Sequence, residues 1–396
     1  LPFVLIGHLK LLFLWFNYTP NQILFAMTPS ELLHTLALLQ VEGVGDILAK
    51  KLIHHCGNAE NVFATKKTQL QKIEGIGATI IKNIHNKTGF TKAEAELQFL
   101  EQEQINSLYF QDENYPFRLK HCYDSPMLLF QSGTVALQNR KIISIVGTRQ
   151  MTTYGAEITK KLIEDLAPLQ PIIVSGFAYG VDIYAHQAAM DCGLQTIGVL
   201  AHGLNQIYPK THKKYIAKME QNGGFLTEFW SSSQPDKENF IKRNRIVAGI
   251  SEATIVIESA EKGGSLVTAN LANDYNRDVF AVPGRTTDKY SQGCNQLIKT
   301  QRANLITSAA DLLYLLNWEL PTTLKKEQKA IQKQLFVSLT AEEQSIYEYL
   351  QKTGKEAIDI IAVNCNIPIY RLSSLLLNME LKGVIRPLPG KIFEGV

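Results

Sequence analysis

Between Lys141 and Val282, apolar runs of four to six residues alternate with segments whose apolar positions recur at helical spacing. The runs are IISIV, PIIVS, TIGVL, GFLTE, TIVIE and DVFAV. Consecutive apolar positions mark strands buried on both faces, and their alternation with helices predicts a doubly wound parallel sheet of the α/β class. Ligands of such sheets bind outside the carboxyl ends of the strands, so the residues following each run are the candidates for function.

Upstream the period is helical. TPSELLHTLALL opens a helix after Met27, and two segments 32 residues apart repeat, VEGVGDILAKKLI (41–53) and IEGIGATIIKNIH (73–85). Each places a Gly-hydrophobic-Gly turn before a short amphipathic helix, the pattern of a helix-hairpin-helix, whose helix-start amides can meet a phosphate. Such a pair either grips DNA or packs on a partner. The second unit carries Lys82 and Lys87 beyond its turn.

Downstream, ELPTTLKKEQKAIQKQL is polar without a strand pattern and reads as a linker. Three helical patterns follow, closed by RPLPGKIFE, which together describe a winged helix. Its recognition helix, Ile369 to Leu381, offers only Arg371 and Lys382 as cations, which favours contact with protein, or weak contact with DNA, over reading a DNA sequence. The expected organisation is therefore an apolar extension of unknown role (1–26), a helical domain (27–105), the sheet domain (106–318), a linker (319–335) and a winged helix (336–396). In the extension, His8 and Lys10 interrupt LPFVLIGHLKLLFLWFN, and the uninterrupted part is too short to cross about 30 Å of hydrocarbon, so no membrane partner is expected.

Composition narrows the function. A net charge of +3 on 396 residues excludes coating nucleic acid by bulk charge, so any polyanion site must be local. Five cysteines without a CxxC pair argue against a zinc ribbon or a disulfide scaffold and fit a reducing, cytoplasmic compartment.

The strand ends supply that local site. IVGTR puts Gly147 at a turn and Arg149 beside the next helix, but the three glycines of a dinucleotide fingerprint and an acid for the ribose are missing, so no nucleotide cofactor is expected. SGFAYGVD sets Ser175, Gly176 and Gly180 before a helix start that can receive an oxyanion. HGLNQIYPKTHKK brings Lys210, Lys213 and Lys214, and ESAEKGGSLVTAN opens a helix at Gly263, Gly264 and Ser265. FIKRNRIVAGIS adds Lys242, Arg243, Asn244 and Arg245 with no acid between Glu238 and Glu252. Neighbours on a helix diverge by about 100°, so one or two of these four can grip a strand while the others brace the groove. Asp182, His186 and Ser175 lie in one strand-helix unit, poor geometry for a catalytic triad, and no metal-ligand spacing is present. The pattern is a polyanion cradle with a place for a base, without catalytic residues.

The blocks IVGTRQMTTYG, VSGFAYGVDIYAH, IYPKTHKKY, NFIKRNRIVAGIS, GGSLVTANLA and VFAVPGRTTDKYSQGCNQLI resemble, in order and spacing, the signatures of DNA-processing protein A, the DprA or Smf family. The resemblance implies an extended Rossmann-like domain flanked by a SAM-like helix-hairpin-helix module and a winged helix. It implies a non-catalytic, dimeric protein that binds single-stranded DNA and loads the RecA recombinase during natural transformation. By motif, Gly147, Arg149, Ser175, Gly176, Tyr179, Gly180, Lys210, Lys242, Arg243, Asn244, Arg245 and Gly263-Gly264-Ser265 would line the strand. Many members carry Lys or Arg where this chain has Tyr179, which removes a cation but keeps a stacking surface. An alternative is a resemblance of the GGS turn to the PGGxGTxxE motif of phosphoribohydrolases, in which Asn270 stands where the catalytic Glu belongs.

Overall fold

The computed structural model describes residues 27–319, 339–388 and 391–395. The apolar extension and almost all of the expected linker lie outside the described residues. The chain divides into two compact units, Leu1–Glu319 and Leu320–Val396.

The first unit begins with six helices: α1 (Pro29–Leu39), α2 (Asp46–Cys56), α3 (Ala59–Ala64), α4 (Lys67–Leu70), α5 (Ala78–Asn86) and α6 (Phe90–Gln102). Thr28 caps α1 in a capping box with Glu31. The repeat is a physical symmetry. Gly43 and Gly75 both take the left-handed backbone, φ 86° and 87°, and each faces the other hairpin's helix: a Cβ on Gly43 would meet Ile80 at 3.2 Å, and one on Gly75 would meet Leu48 at 3.8 Å. Lys51 pairs with Glu74 at 3.2 Å, and the equivalent Asn83 donates to the Glu42 carbonyl at 3.4 Å.

The sheet follows. Its strands are β1 (Asn106–Tyr109), β2 (Leu128–Gly133), β3 (Ile142–Val146), β4 (Ile172–Ser175), β5 (Thr196–Val199), β6 (Gly223–Thr227), β7 (Ala253–Val256), β8 (Asp278–Ala281) and β9 (Asn304–Leu305), in the order β1-β2-β6-β5-β4-β3-β7-β8-β9. From β6 to β9 every pairing is parallel, and β2 and β1 add an antiparallel edge. All six predicted runs are strands. The three not foreseen, β1, β2 and β9, lie at the sheet's margins, where short segments such as NSLY and NL carry little apolar signal.

Helices α7 (Phe117–Lys120), α8 (Thr153–Leu166), α9 (Val181–Asp191), α10 (Ile216–Gln221), α11 (Lys237–Ile250), α12 (Gly264–Asp274), α13 (Gln292–Lys299) and α14 (Ala309–Leu315) complete the unit. Alternate residues of β3 serve two cores: Ile142 and Val146 pack with α11, α12 and α13, whereas Ile143 and Ile145 pack with α8, α9 and α14. The helical module shares a third core with β1 and β2 through Leu100, Ile105, Tyr109, Leu128 and Phe130. Module and sheet thus form one compact unit rather than two.

In the second unit, helices Ala341–Thr353, Ile358–Asn364 and Ile369–Leu381 accompany a three-stranded sheet of Lys355–Ala357, Ile392–Gly395 and Ile385–Leu388, a winged helix. The two cations of the recognition helix are held by acids: Arg371 reaches Glu342 at 3.2 Å, and Lys382 reaches Glu343 at 2.6 Å. Among the described residues no single helix is long and apolar enough to cross a membrane.

Candidate nucleic-acid interface

The chain leaves β3 toward β4 on one side and returns to β7 on the other, so a crevice opens beyond the carboxyl ends of these strands. The structure has a cleft of about 600 Å³ there. Its wall after β3 is Gly147, Thr148 and Arg149. The floor includes Gly176 and Asp182, and α11 contributes Lys237, Phe240, Ile241, Arg243 and Asn244. The start of α12 contributes Lys262, Gly263, Gly264 and Ser265.

Each wall owes its position to local chemistry. Asp236 caps α11 by accepting from the Asn239 amide at 2.8 Å, which aims the first turns of that helix over the cleft. Gly263 caps α12 without a side-chain hydrogen bond, and Gly264 is exposed with no atom within 4 Å of where its Cβ would stand. The Gly263 and Leu266 amides donate to the Ala260 and Gly263 carbonyls, so the helix presents the amides of Gly264 and Ser265 and the positive end of its dipole to the cleft, the local chemistry of an anion site. The Arg149 guanidinium lies 5.1 Å from the centre of the Phe240 ring, and Tyr208 lies 5.7 Å from the same ring. A cation and two aromatic rings brought together from three segments offer both a phosphate contact and a stacking surface.

The predicted residues divide in two. Gly147, Arg149, Gly176, Arg243, Asn244, Gly263, Gly264 and Ser265 all border the cleft, but several do so as framework. The Arg243 side chain is only 4% exposed. Its guanidinium donates to the Gly176 carbonyl and, at 2.6 Å, to the Val199 carbonyl, while Nε donates to Asn244 at 3.2 Å. Burial pushes its pKa down to about 10, which leaves it charged at neutral pH. Arg243 therefore ties β4 and β5 together, and a phosphate would have to compete with two carbonyls for it.

Ser175 requires a correction. It is fully buried, and its hydroxyl donates to the Ile145 carbonyl at 2.6 Å, so it faces the sheet and not a ligand. Arg245 requires another. It points away from the cleft, pairs with Glu228 and with Asp46 at 3.4 Å, and donates to the Asp124 carbonyl. Gly180 is a packing glycine: its φ is 76°, and a Cβ would stand 2.2 Å from the Thr148 carbonyl oxygen. Gly147 and Gly176 are likewise filled in front, by Val181 and by the Arg243 guanidinium.

Lys210, Tyr179 and Lys242 are exposed but do not border the cleft. Tyr179 receives a hydrogen bond from Thr211 at 3.3 Å, which ties it to the loop carrying Tyr208 and Lys210. Since Tyr208 also approaches Phe240, this loop forms a rim continuous with the cleft. Ser265 is buried and donates to Ser259 at 2.9 Å, so it shapes the α12 start.

Asp182 and His186 do not pair. Thr196 donates to the Ile173 carbonyl at 2.9 Å, so His186 Nδ1 must be the donor in its 2.7 Å contact with Thr196. Its Nε2 is buried and has no hydrogen-bond partner among the described residues. Burial pushes the His186 imidazole down to about 3 and the Asp182 carboxyl up. Asn270, where the hydrolase alternative requires a Glu, is not part of the cleft lining and carries no carboxylate.

Phe240 and Lys262 were missed as site residues. The signal was present in both cases: an aromatic at the head of a basic run, and a lysine directly before a glycine helix start.

The family model of DNA recombination-mediator protein A matches residues 106–317, and that of the DprA winged helix domain matches residues 333–391. The chain is similar to Protein Smf of Synechocystis sp., 36% identical across 72% of this chain and 73% of that relative. It is also similar to the DNA processing protein DprA of Bacillus subtilis, 35% identical across 68% of this chain and 91% of that one. Among solved structures, DprA from Streptococcus pneumoniae superimposes with a TM-score of 0.60 at 32% identity, over 73% of this chain and 98% of the other. The sheet domain and the winged helix each fall within a matched family model, and the chain belongs to the DNA recombination-mediator protein A (DprA/Smf) family.

Proposed function

We propose that the chain binds single-stranded DNA in the strand-end cleft without cleaving it, and passes the strand to the RecA recombinase during natural transformation. The observation that carries the DNA reading is the meeting of Arg149, Phe240 and the open α12 start in one cleft. A phosphate fits the amides of Gly264 and Ser265 with Lys262 and Arg149 nearby, while a base stacks against Phe240 or Tyr208. Such contacts do not read base edges, so binding tolerates sequence. The cleft admits a splayed strand more readily than a duplex, whose bases are already stacked on each other. The mediator role rests on family membership, and the partner RecA on the resemblance of the sequence blocks.

Self-association belongs to the same proposal. The far edge of the sheet ends in the two-residue β9, and Leu305, Tyr314 and Leu315 expose apolar surface there and on α14. A homodimer would cover these side chains.

Arg149→Ala tests the DNA reading. Loss of its phosphate contact should lower affinity for all single-stranded oligonucleotides alike and reduce the slope of log K against log salt by about 0.7. Unchanged affinity and slope would remove Arg149 from the site.

A further inference from the structure

We propose that the second helix-hairpin-helix unit forms a separate surface for the sugar-phosphate backbone of DNA, distinct from the strand-end cleft. The two hairpins are equivalent in fold but not in charge or in fate. In the first, Asp46 opens α2; its carboxylate accepts from the Met127 amide at 2.8 Å and pairs with Arg245 at 3.4 Å. Lys50 donates to Ser125 at 2.6 Å. That hairpin is committed to holding the module on the sheet.

Among the described residues no side chain of the second hairpin bonds to the sheet. Gly75, Gly77, Ala78 and Thr79 are exposed, and no atom lies within 4 Å of where a Cβ on Gly77 would stand. Residues 66–92 carry six lysines, Lys66, Lys67, Lys72, Lys82, Lys87 and Lys92, against the single acid Glu74. The equivalent stretch, 34–60, carries Lys50 and Lys51 against Glu42, Asp46 and Glu60. All six lysines are exposed, none is ion-paired among the described residues, and Glu74 pairs with Lys51 of the other hairpin. Two copies of one fold need no such divergence in charge to pack together.

In a chain of net charge +3, this is a concentration of positive charge along one stretch of sequence, all of it exposed. Unpaired like charges at this density repel one another, and a polyanion relieves that repulsion while releasing its own counterions. Lys72 precedes the turn and Lys82 follows the helix start by one turn, so cations flank the open amides in sequence. No aromatic residue lies between Lys66 and His85, so the surface offers phosphate contacts without base stacking. That chemistry suits a backbone of either strandedness and sets this surface apart from the cleft.

Two variants of the full chain test the inference, each titrated with a mixed-sequence single strand and with its duplex at several salt concentrations. The first combines Lys72→Gln, Lys82→Gln and Lys87→Gln. The second, Ala78→Asp, copies the carboxylate that Asp46 supplies at the equivalent position of the first hairpin, which suits a helix start and keeps the fold. Both should weaken binding to at least one of the two DNA forms, and the triple variant should lower the salt slope by about 2 to 3. Wild-type affinity and slope on both forms in both variants would overturn the proposal. Arg149→Ala run in parallel separates this surface from the cleft: hairpin variants that weaken binding while Arg149→Ala does not would leave this inference standing and remove Arg149 from the cleft site.

Discussion

Arg243 stands in the most cationic stretch of the chain, yet its guanidinium is committed to the Gly176 and Val199 carbonyls inside the fold. Ser175, flanked by the strand end and a glycine, looks like an anion donor, yet its hydroxyl is committed to Ile145. At this scale a polar residue next to a ligand site is read correctly only when its hydrogen-bond partners are known. Ser175→Ala should cost about 1 kcal/mol of stability, the worth of one buried neutral hydrogen bond, and leave DNA affinity unchanged. Arg243→Ala should cost about 3 kcal/mol, because two buried carbonyls lose a charged donor. Urea unfolding beside a DNA titration separates the two effects, and an affinity loss without a stability loss in Ser175→Ala would return that hydroxyl to the ligand.

His186 brings a pH dependence. Its native pKa, about 3, lies below the 6.5 of an unperturbed histidine, so the unfolded chain binds the proton first. Stability is then full above pH 6.5 and is lost as pH falls from there toward 3, by about 2 kcal/mol at pH 5 from this residue. His186→Gln should lose correspondingly less stability between pH 7 and pH 5, and equal losses in the two proteins would contradict a neutral, buried imidazole.

At the scale of elements, the apolar runs identified the central strands because burial on both faces writes itself as unbroken apolar sequence. The edge strand β1 escaped notice because its buried positions alternate with half-buried ones, and β2 because its apolar run, Leu128 to Phe130, is short and gives way to the polar Gln131, Ser132 and Gly133. The cleft was partly legible for a similar reason. Glycines after strands are visible in sequence, but whether they admit a ligand or a neighbouring side chain is not: Gly264 faces open space, whereas Gly180 faces the Thr148 carbonyl. The α12 start was found from its glycines. The stacking pair of Arg149 and Phe240, about ninety positions apart, exists only through the parallel topology.

Across the first unit, Arg245 joins the helical module to the sheet. It sits among Asp46 of α2, Glu228 after β6 and Asp124, with little access to solvent. Burial pushes the Glu228 carboxyl up to about 7, with Arg245 holding it down from a higher value. Arg245→Ala would leave buried acids without their cation, and we expect a loss of about 3 kcal/mol. The affinity of the folded fraction for single-stranded DNA should stay unchanged. A weaker affinity at equal stability would mean that Arg245 touches DNA after all. The two hairpins also acquire distinct roles at this scale: one holds the module in place, and the other is left free with its lysines.

The central claim is that the α12 start in the strand-end cleft seats a phosphate of single-stranded DNA. Gly264→Asp and Gly264→Asn test it most directly, because that position faces open space and an acidic first turn suits the helix. Titration of both variants with a single-stranded oligonucleotide should show Gly264→Asp weakened by about fivefold or more, since a carboxylate beside a phosphate costs on the order of 1 kcal/mol or more. Gly264→Asn should remain close to the parent chain, and thermal stability should hold in both. Parent-like affinity in Gly264→Asp would contradict the claim.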